Sequence, residues 1–220
     1  MGVTLVAFVL YYVLEPLTLF FEGDWEDIPV LCTLGERMRG SQLKRLEKLT
    51  QRIDKWVEVP PGQEATLEQM IQYTRLTWQQ ALSFPPEGYE AHVRPTRLGN
   101  IYKVAQLYPY LRYGADTTVI WSRLRSVLPK DFVERIQDAK IATDFLLLCA
   151  LLSVLFSLVT LPYLLIHRAD ILLLLLCILG IPLGVAAYYC SLTPATSYAE
   201  LTKTAFDLYR HSLLKALFHG

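Results

Sequence analysis

Two long uncharged apolar runs near the C-terminus constrain this chain more than any other feature. The first run, FLLLCALLSVLFSLVTLPYLLI, covers residues 145–166, and the second, ILLLLLCILGIPLGVAAYYC, covers residues 171–190. A helix needs about 20 apolar residues to cross the hydrocarbon core of a bilayer, so each run predicts one transmembrane helix. The four residues HRAD separate the runs, which predicts an antiparallel transmembrane hairpin over residues 145–190.

A third apolar segment, VTLVAFVLYYVLEPLTLFF, covers residues 3–21. It is long enough to cross a bilayer, and it lacks the basic start and the small-residue cleavage site of a signal peptide. We therefore expect residues 1–21 to form a third transmembrane segment, with a re-entrant or interfacial segment as the alternative. Glu15 stands inside it, where a carboxylate is costly unless it is paired, protonated or near the headgroups. An interfacial or helix-packing role is expected for Glu15, with an ion or proton pathway as the alternative.

The second apolar run contains a GxxxG pattern, formed by Gly180 and Gly184 with Pro182 between them. Glycines at this spacing let another helix approach closely, and a proline bends the helix. We expect Gly180 and Gly184 to pack against another helix of the same chain. A symmetric contact between copies of the chain is the alternative.

Lys and Arg are distributed unevenly among the segments outside the apolar runs. Residues 22–144 carry 17 of the 21 Lys and Arg residues, the tail after residue 190 carries three, and Arg168 lies between the two runs. Because basic residues resist translocation, we expect residues 22–144 and 191–220 to be cytoplasmic. Residues 22–144 are numerous enough for one small domain.

The domain over residues 22–144 is predicted to be helical from its apolar spacing and from its capping and breaking residues. The first two helices should form an αα-hairpin around a turn at Pro60–Gly62. β-Branched residues leave a strand as the alternative for the fourth helix. The expected helices cover residues 31–57, with a break or bend at Gly40, residues 65–84, residues 96–107, ended by Pro109, residues 115–127, and a last helix from Pro129 into the hairpin.

The tail over residues 191–220 is predicted to form a separate amphipathic helix. Ser197 and Glu200 have the spacing of a capping box, so the helix should begin at Ser197. It could lie on the inner leaflet or pack on the cytoplasmic domain. The predicted fold class is therefore an all-α integral membrane protein with about three transmembrane helices and a cytoplasmic helical domain.

Residues 94–125 combine six basic side chains and one acidic one with four tyrosines and a tryptophan. The net charge of the whole chain is zero, so no global field gathers nucleic acid, and we expect no nucleic-acid partner. Lipid headgroups attract Lys and Arg and accommodate Tyr and Trp, so we expect this face to contact lipid headgroups or a membrane-protein partner. Its expected contact residues are Arg94, Arg97, Lys103, Arg112, Tyr113, Trp121, Arg123 and Arg125.

Motifs for catalysis, phosphate binding and metal binding are absent from the sequence, and we expect neither an enzyme nor a cofactor. The histidines are scattered, and the four cysteines have no spacing that would hold zinc or form a disulfide framework. Arg97, Asn100, Arg112 and Asp116 could form a polar pocket, but a buried Arg–Asp pair that fixes a turn is the preferred interpretation.

Several short motifs resemble segments of an uncharacterised bacterial family of multi-pass inner-membrane proteins. They are PTRLGN at residues 95–100, YPYLRYGAD at residues 108–116 followed by Trp121, and SYAELTKTAFDLYRHSLLKAL at residues 197–217. The resemblance covers about the C-terminal 130 residues and implies a location in the bacterial cytoplasmic membrane. It implies no catalytic residue, ligand or activity.

We expect a non-catalytic accessory or scaffold subunit of a membrane assembly, bound to lipid, to a partner or to further copies of itself. A homo-oligomeric pore or effector is the alternative function, with Glu15 and the Gly180/Gly184 helix along its path. A membrane-tethered nucleic-acid binder is the least favoured interpretation.

Overall fold

The computed structural model describes residues 20–23, 25, 29–57, 66–167 and 171–218, and in these ranges every regular element is a helix. The predicted all-α fold is confirmed for this part of the chain. Most of residues 3–21, including Glu15, and the turn at Pro60–Gly62 lie outside the described residues. The helices are α1 (Pro29–Val57), α2 (Leu67–Ser83), α3 (Arg97–Tyr113), α4 (Thr117–Val127), α5 (Lys130–His167) and α6 (Ile171–Phe218), with a 3-10 turn at Glu90–His92.

Contacts divide the chain into two compact units. The described parts of residues 129–201 form the first unit, called the hairpin below, which contains α5 and the first part of α6. Described residues among 20–128 and 202–218 form the second unit, called the helical domain below, which contains α1 to α4 and the last part of α6.

Helices α5 and α6 are both long and apolar enough to cross a membrane. They contain the two apolar runs, and α5 begins at Lys130, as expected for a helix that continues into the first of these runs. Many apolar side chains on them are exposed, among them Phe145, Val159, Leu179 and Leu183. Exposed apolar surface of this extent marks a contact with lipid or with another protein.

Small side chains let α5 and α6 pack closely in the hairpin. A Cβ atom added to Gly180 would collide with the Oγ atom of Ser157, and one added to Gly184 would lie 2.8 Å from the carbonyl oxygen of Ala150 and 2.7 Å from Cγ2 of Val154. Both glycines of the GxxxG pattern therefore lie against α5 of the same chain. One turn further along, the Thr160 hydroxyl and the Cys177 thiol are 3.0 Å apart.

Gly184→Val tests this packing, with Ala186→Val as a matched control. The added side chain at residue 184 must displace the backbone of α5, so we expect it to cost about 2 kcal/mol of hairpin stability. Ala186 is exposed on the same helix, and its substitution should cost much less. The check is the thermal midpoint of the full chain in detergent. Equal midpoints for the two variants would contradict the close contact at Gly184.

The tail is not a separate helix, and the prediction of a helix start at Ser197 is wrong. Helix α6 continues from Ile171 to Phe218 and passes through Pro194. Hydroxyl groups donate to carbonyl oxygens of the preceding turn on both sides of this proline: Ser191 to Tyr188 at 2.7 Å, Thr196 to Leu192 at 2.7 Å and Ser197 to Thr193 at 3.3 Å. Ser197 thus bonds backward within the helix, as a serine inside a helix does, and it does not cap a helix start.

Two predicted interruptions in the domain are also wrong. Helix α1 is continuous through Gly40, so the chain does not break there. Helix α3 continues through Pro109, which is buried, and it ends at Gly114 in the left-handed conformation. The N–H group of Gly114 donates to the carbonyl of Tyr110 at 2.9 Å, so a glycine cap, and not the proline, terminates this helix.

Helices α1 and α2 pack together as the predicted αα-hairpin. Their shared apolar cluster consists of buried Leu49, Ile53 and Phe84, with Leu46 and Leu76 packed against it. The capping box that begins α2 is formed by Thr66 and Gln69. The two helices are also joined by a hydrogen bond from the Gln80 amide to the Thr50 hydroxyl at 3.2 Å.

The PTRLGN motif attaches the chain around residues 20–23 to the helical domain. The Thr96 hydroxyl caps α3 by accepting from the N–H of Gly99 at 2.9 Å, and it donates to the carbonyl of Phe21 at 2.6 Å. A Cβ atom on Gly99 would collide with the carbonyl oxygen of Glu22. Gly99 is therefore required because two backbone segments meet where no side chain fits.

Gly99→Ala and Gly40→Ala should change stability in opposite directions. The first places a methyl group against the Glu22 carbonyl, and we expect a loss of about 3 kcal/mol. The second adds a methyl group to an open position inside α1, where alanine is favoured over glycine by about 0.5–1 kcal/mol. Thermal unfolding of the purified full chain measures both. A Gly99→Ala protein as stable as the original would show that the two segments do not meet there.

Candidate functional site

The predicted contact residues do not form one continuous face. Arg94 and Lys103 line a groove near the PTRLGN motif, whereas Arg112 and Tyr113 belong to a cluster at the end of α3. Arg97 is half-buried at the first position of α3. The three remaining residues lie on α4.

A groove in the helical domain, called the basic groove, encloses about 160 Å³. Three cations line it, Arg39 from α1, Arg94 from the segment before α3, and Lys103 from α3. The remaining lining residues are Gly23, Trp25, Cys32, Gly35, Glu36, Ala91, His92, Val93 and Pro95.

Hydrogen bonds position the backbone on two sides of the groove. The buried Asn100 side chain accepts from the N–H of Arg94 at 2.7 Å and donates to its carbonyl at 3.1 Å, which fixes the turn before α3. Trp25 is buried, and its indole N–H donates to the carbonyl of Phe20 at 2.8 Å. A Cβ atom on Gly35 would come 3.2 Å from the Trp25 ring, so this glycine lets the ring lie against α1.

Arg39 is the residue in the groove with unused hydrogen-bonding capacity. Its Nη2 atom donates to the carbonyl of Ala91 at 2.8 Å, which holds the guanidinium against the 3-10 turn. Its Nε atom is buried and has no hydrogen-bond partner among the described residues. A buried donor without a partner costs about 1–3 kcal/mol, and this cost falls on a residue that lines the groove.

The second group surrounds Asp207 on the last part of α6 and is called the aspartate cluster. Tyr108 donates to its carboxylate at 2.9 and 3.0 Å, and Tyr113 donates to it at 2.5 Å. The Arg210 guanidinium stacks 4.3 Å from the centre of the Tyr113 ring, and Lys203 lies 5.8 Å from the centre of the Tyr108 ring. Tyr113 therefore binds α6 within the chain.

Burial of Tyr108 and its contact with Asp207 raise the pKa of its phenol to about 12. The carboxylate favours the protonated phenol, which donates a hydrogen bond to it, over a second negative charge. At neutral pH the cluster is thus a stable set of charge-assisted hydrogen bonds. It presents no activated base or nucleophile and acts as a link between α3 and α6.

The three predicted contact residues on helix α4 differ in their solvent exposure. Trp121 is half-buried and stacks on Phe206 of α6, with ring centres 6.0 Å apart. Arg123 and Arg125 are exposed. Trp121 therefore packs within the domain, whereas the two arginines are accessible.

The predicted polar pocket and its buried Arg–Asp pair are wrong. Asp116 is exposed and caps α4 by accepting from the N–H of Thr118 at 2.8 Å, and hydrogen bonds from Thr118 hold the pKa of this carboxylate below its usual value. Asn100 bonds the backbone of Arg94, and Arg112 is exposed at the other end of α3. The motif fixes its turn through a helix cap, which needs no buried charge.

Among the described residues, no group of three or more His, Cys, Asp or Glu side chains is placed so that it could hold a metal ion. The four cysteines are free, and of these Cys177 is buried and Cys32 is exposed. No protein-family model, curated protein or solved structure matches this chain. The function must therefore be argued from the groove and the cluster themselves.

Sequence reasoning did not find Arg39, Trp25 and His92. Arg39 lies among the mixed charges of α1, which are typical of an ordinary solvated helix face. Neither charge patterning nor periodicity reports that α1 passes beside the segment before α3. The acidic surroundings of Trp25 in the sequence gave no sign that its ring is buried.

The raised pKa of Tyr108 makes stability depend on alkaline pH. Below about pH 10 the phenol is protonated in both the folded and the unfolded chain, so its contribution is complete. Between about pH 10 and pH 12 the unfolded chain releases the proton while the folded chain retains it, so the free energy of unfolding falls. Over this range we expect the thermal midpoint of Tyr108→Phe to fall less steeply than that of the original protein.

Tyr110→Phe is the matched control, because Tyr110 is an exposed phenol on the same helix. Its midpoint should follow that of the original protein at every pH. If Tyr108→Phe and Tyr110→Phe have the same pH dependence, the hydrogen bonds to Asp207 do not hold the Tyr108 proton.

Proposed function

We propose that this chain is a non-catalytic accessory or scaffold subunit of a bacterial inner-membrane assembly. Its hairpin holds it in the bilayer, and its helical domain lies on the cytoplasmic side, where the basic groove binds an anionic group. Lipid phosphate and the carboxylates of an acidic partner segment share the required chemistry.

The convergence of Arg39, Arg94 and Lys103 beside Trp25 is the observation that carries this proposal. A phosphate or carboxylate oxygen in the groove would accept a hydrogen bond from the guanidinium of Arg39, which lines the groove and is held in place by its bond to Ala91. Hydrogen bonds between a guanidinium and an anionic oxygen are among the stronger ones in proteins. An indole ring beside such cations suits the headgroup zone of a bilayer.

The uneven distribution of basic residues supports the cytoplasmic side. Segments flanking the two apolar runs carry 20 of the 21 Lys and Arg residues, whereas Arg168 lies between the runs. Exposed Arg123 and Arg125 on α4 provide further attraction to an anionic leaflet, where each charge is worth about 1 kcal/mol.

Arg39→Gln tests the groove, with Arg52→Gln as its control. Both arginines lie on α1, and Arg52 is exposed and outside the groove. The full chain is extracted into nanodiscs from its native membrane, and native mass spectrometry identifies the lipids and proteins retained. Loss of a charge-assisted hydrogen bond worth about 1.5–3 kcal/mol should lower retention of the anionic partner by roughly tenfold or more in Arg39→Gln. Arg52→Gln should retain it as the original protein does.

Two results distinguish the sources of the anion and one overturns the proposal. Retained phospholipid that is lost in Arg39→Gln identifies a headgroup site, and a retained protein lost in the same variant identifies an acidic partner. A chain that is strictly monomeric and retains neither lipid nor protein would overturn the scaffold function.

A further inference from the structure

Helix α2 has apolar residues on two opposite sides, and one side is not covered by the described part of the chain. Leu76 packs against the apolar cluster shared with α1. The opposite side carries an apolar stripe at the spacing of helical turns, while no residue of α2 is buried. The stripe consists of Leu67, Met70, Ile71, Thr74 and Trp78, and its four apolar members are 55–73% exposed.

The charges of α2 argue for a protein surface and against a lipid surface as the cover of this stripe. Helices that lie in the membrane interface are rich in Lys and Arg along their polar face. In α2, Arg75 is the one basic residue and Glu68 the one acidic residue, and the other polar positions are mainly glutamine. The helix therefore lacks the positive charge that would hold it on an anionic leaflet.

Glu68 and Arg75 are self-complementary when two copies of α2 pair in opposite directions. They are seven residues apart, so they lie on the same flank of the stripe, two turns from each other. A twofold axis between residues 71 and 72 places Glu68 opposite Arg75 of the partner subunit, and the symmetry repeats this pair. A parallel pairing would put the two flanks on opposite sides and form neither contact.

The exposed area of the α2 stripe is sufficient for a reversible contact between two copies of the chain. The stripe presents on the order of 500 Å² per copy, since large apolar and aromatic side chains contribute roughly 100–200 Å² each. Two copies would bury about 1,000 Å² in total, which is at the lower limit for a specific interface. Confinement of both copies to one membrane raises their effective concentration, so a contact of this size can be populated.

We propose that the α2 stripe forms a symmetric, antiparallel contact between two copies of this chain. Trp78 covers the ends of the interface. This dimer contact is separate from the groove and does not require an anion to be bound.

Charge exchange on the full chain tests both the contact and its direction. Arg75→Glu alone should replace both ion pairs of the dimer with pairs of acidic side chains that repel each other. Glu68→Arg alone should replace both with pairs of basic side chains. Each should raise the dimer dissociation constant about tenfold. The double variant, Glu68→Arg with Arg75→Glu, reverses both partners and should restore the original constant. Dissociation constants are measured in nanodiscs or mild detergent by fluorescence energy transfer between labelled copies.

Shortening an apolar side chain of the stripe is the second test of the dimer. Trp78→Ala should raise the dissociation constant at least tenfold, because a large exposed ring would lose its cover. Val119→Ala, which shortens an exposed apolar side chain on α4, should leave it unchanged. All of these positions are exposed, so the variants should fold like the original chain.

Three outcomes would overturn the dimer. The chain could be monomeric at every concentration, the dimer could be insensitive to Arg75→Glu, or the double variant could fail to restore it. A monomer in which Trp78→Ala removes a bilayer-dependent part of the tryptophan fluorescence would show instead that lipid covers the stripe. Arg39→Gln should leave dimerisation unchanged, and the α2 variants should leave anion retention unchanged, so this proposal and the groove can fail independently.

Discussion

The helical domain depends on the contact between the Glu22 carbonyl and Gly99. At this point the chain that follows the predicted first membrane segment meets the start of α3, and no side chain fits between the two backbones. The Thr96 hydroxyl joins the same two segments by accepting from one and donating to the other. The contact therefore fixes the positions of Gly23 and Trp25, which form one wall of the basic groove.

Two of the sequence motifs are explained by a single contact. The YPYLRYGAD motif contributes Tyr108 and Tyr113, and the C-terminal motif contributes Lys203, Asp207 and Arg210. In the folded chain these five side chains form the aspartate cluster. Residues that look like a lipid-binding or nucleic-acid-binding pattern in the sequence are thus partly used to hold α3 against α6.

The sequence predicts the helices well wherever local chemistry decides the outcome. Thr96 caps a helix, and both apolar runs form helices long enough to cross a membrane, because propensity, capping and length are properties of nearby residues. Local chemistry does not decide whether Pro109 ends a helix. There, burial of the proline and the glycine cap outweigh the loss of one backbone hydrogen bond.

The candidate site was less predictable because its members come from distant parts of the chain. Arg39 and the 3-10 turn at residues 90–92 are brought together by the fold, and the hydrogen bond between Arg39 and Ala91 spans 52 positions. The solvent exposure of the apolar residues on α2 also follows from the fold and not from the local sequence. The periodicity that predicts α2 does not tell which of its two apolar sides faces α1.

Charge is separated over short distances in a chain whose net charge is zero. Three cations line the groove, while the sequence around its Trp25 wall is acidic, with Glu22, Asp24, Glu26 and Asp27 within a few residues. Carboxylates so close in the sequence to this wall would compete with an external anion at high effective concentration. A tethered competitor lowers the apparent affinity for every external anion by the same factor, so removing its charge should strengthen the binding of any of them. Neutralising Asp24, Glu26 and Asp27 together should then increase anion retention, and it should do so least in Arg39→Gln.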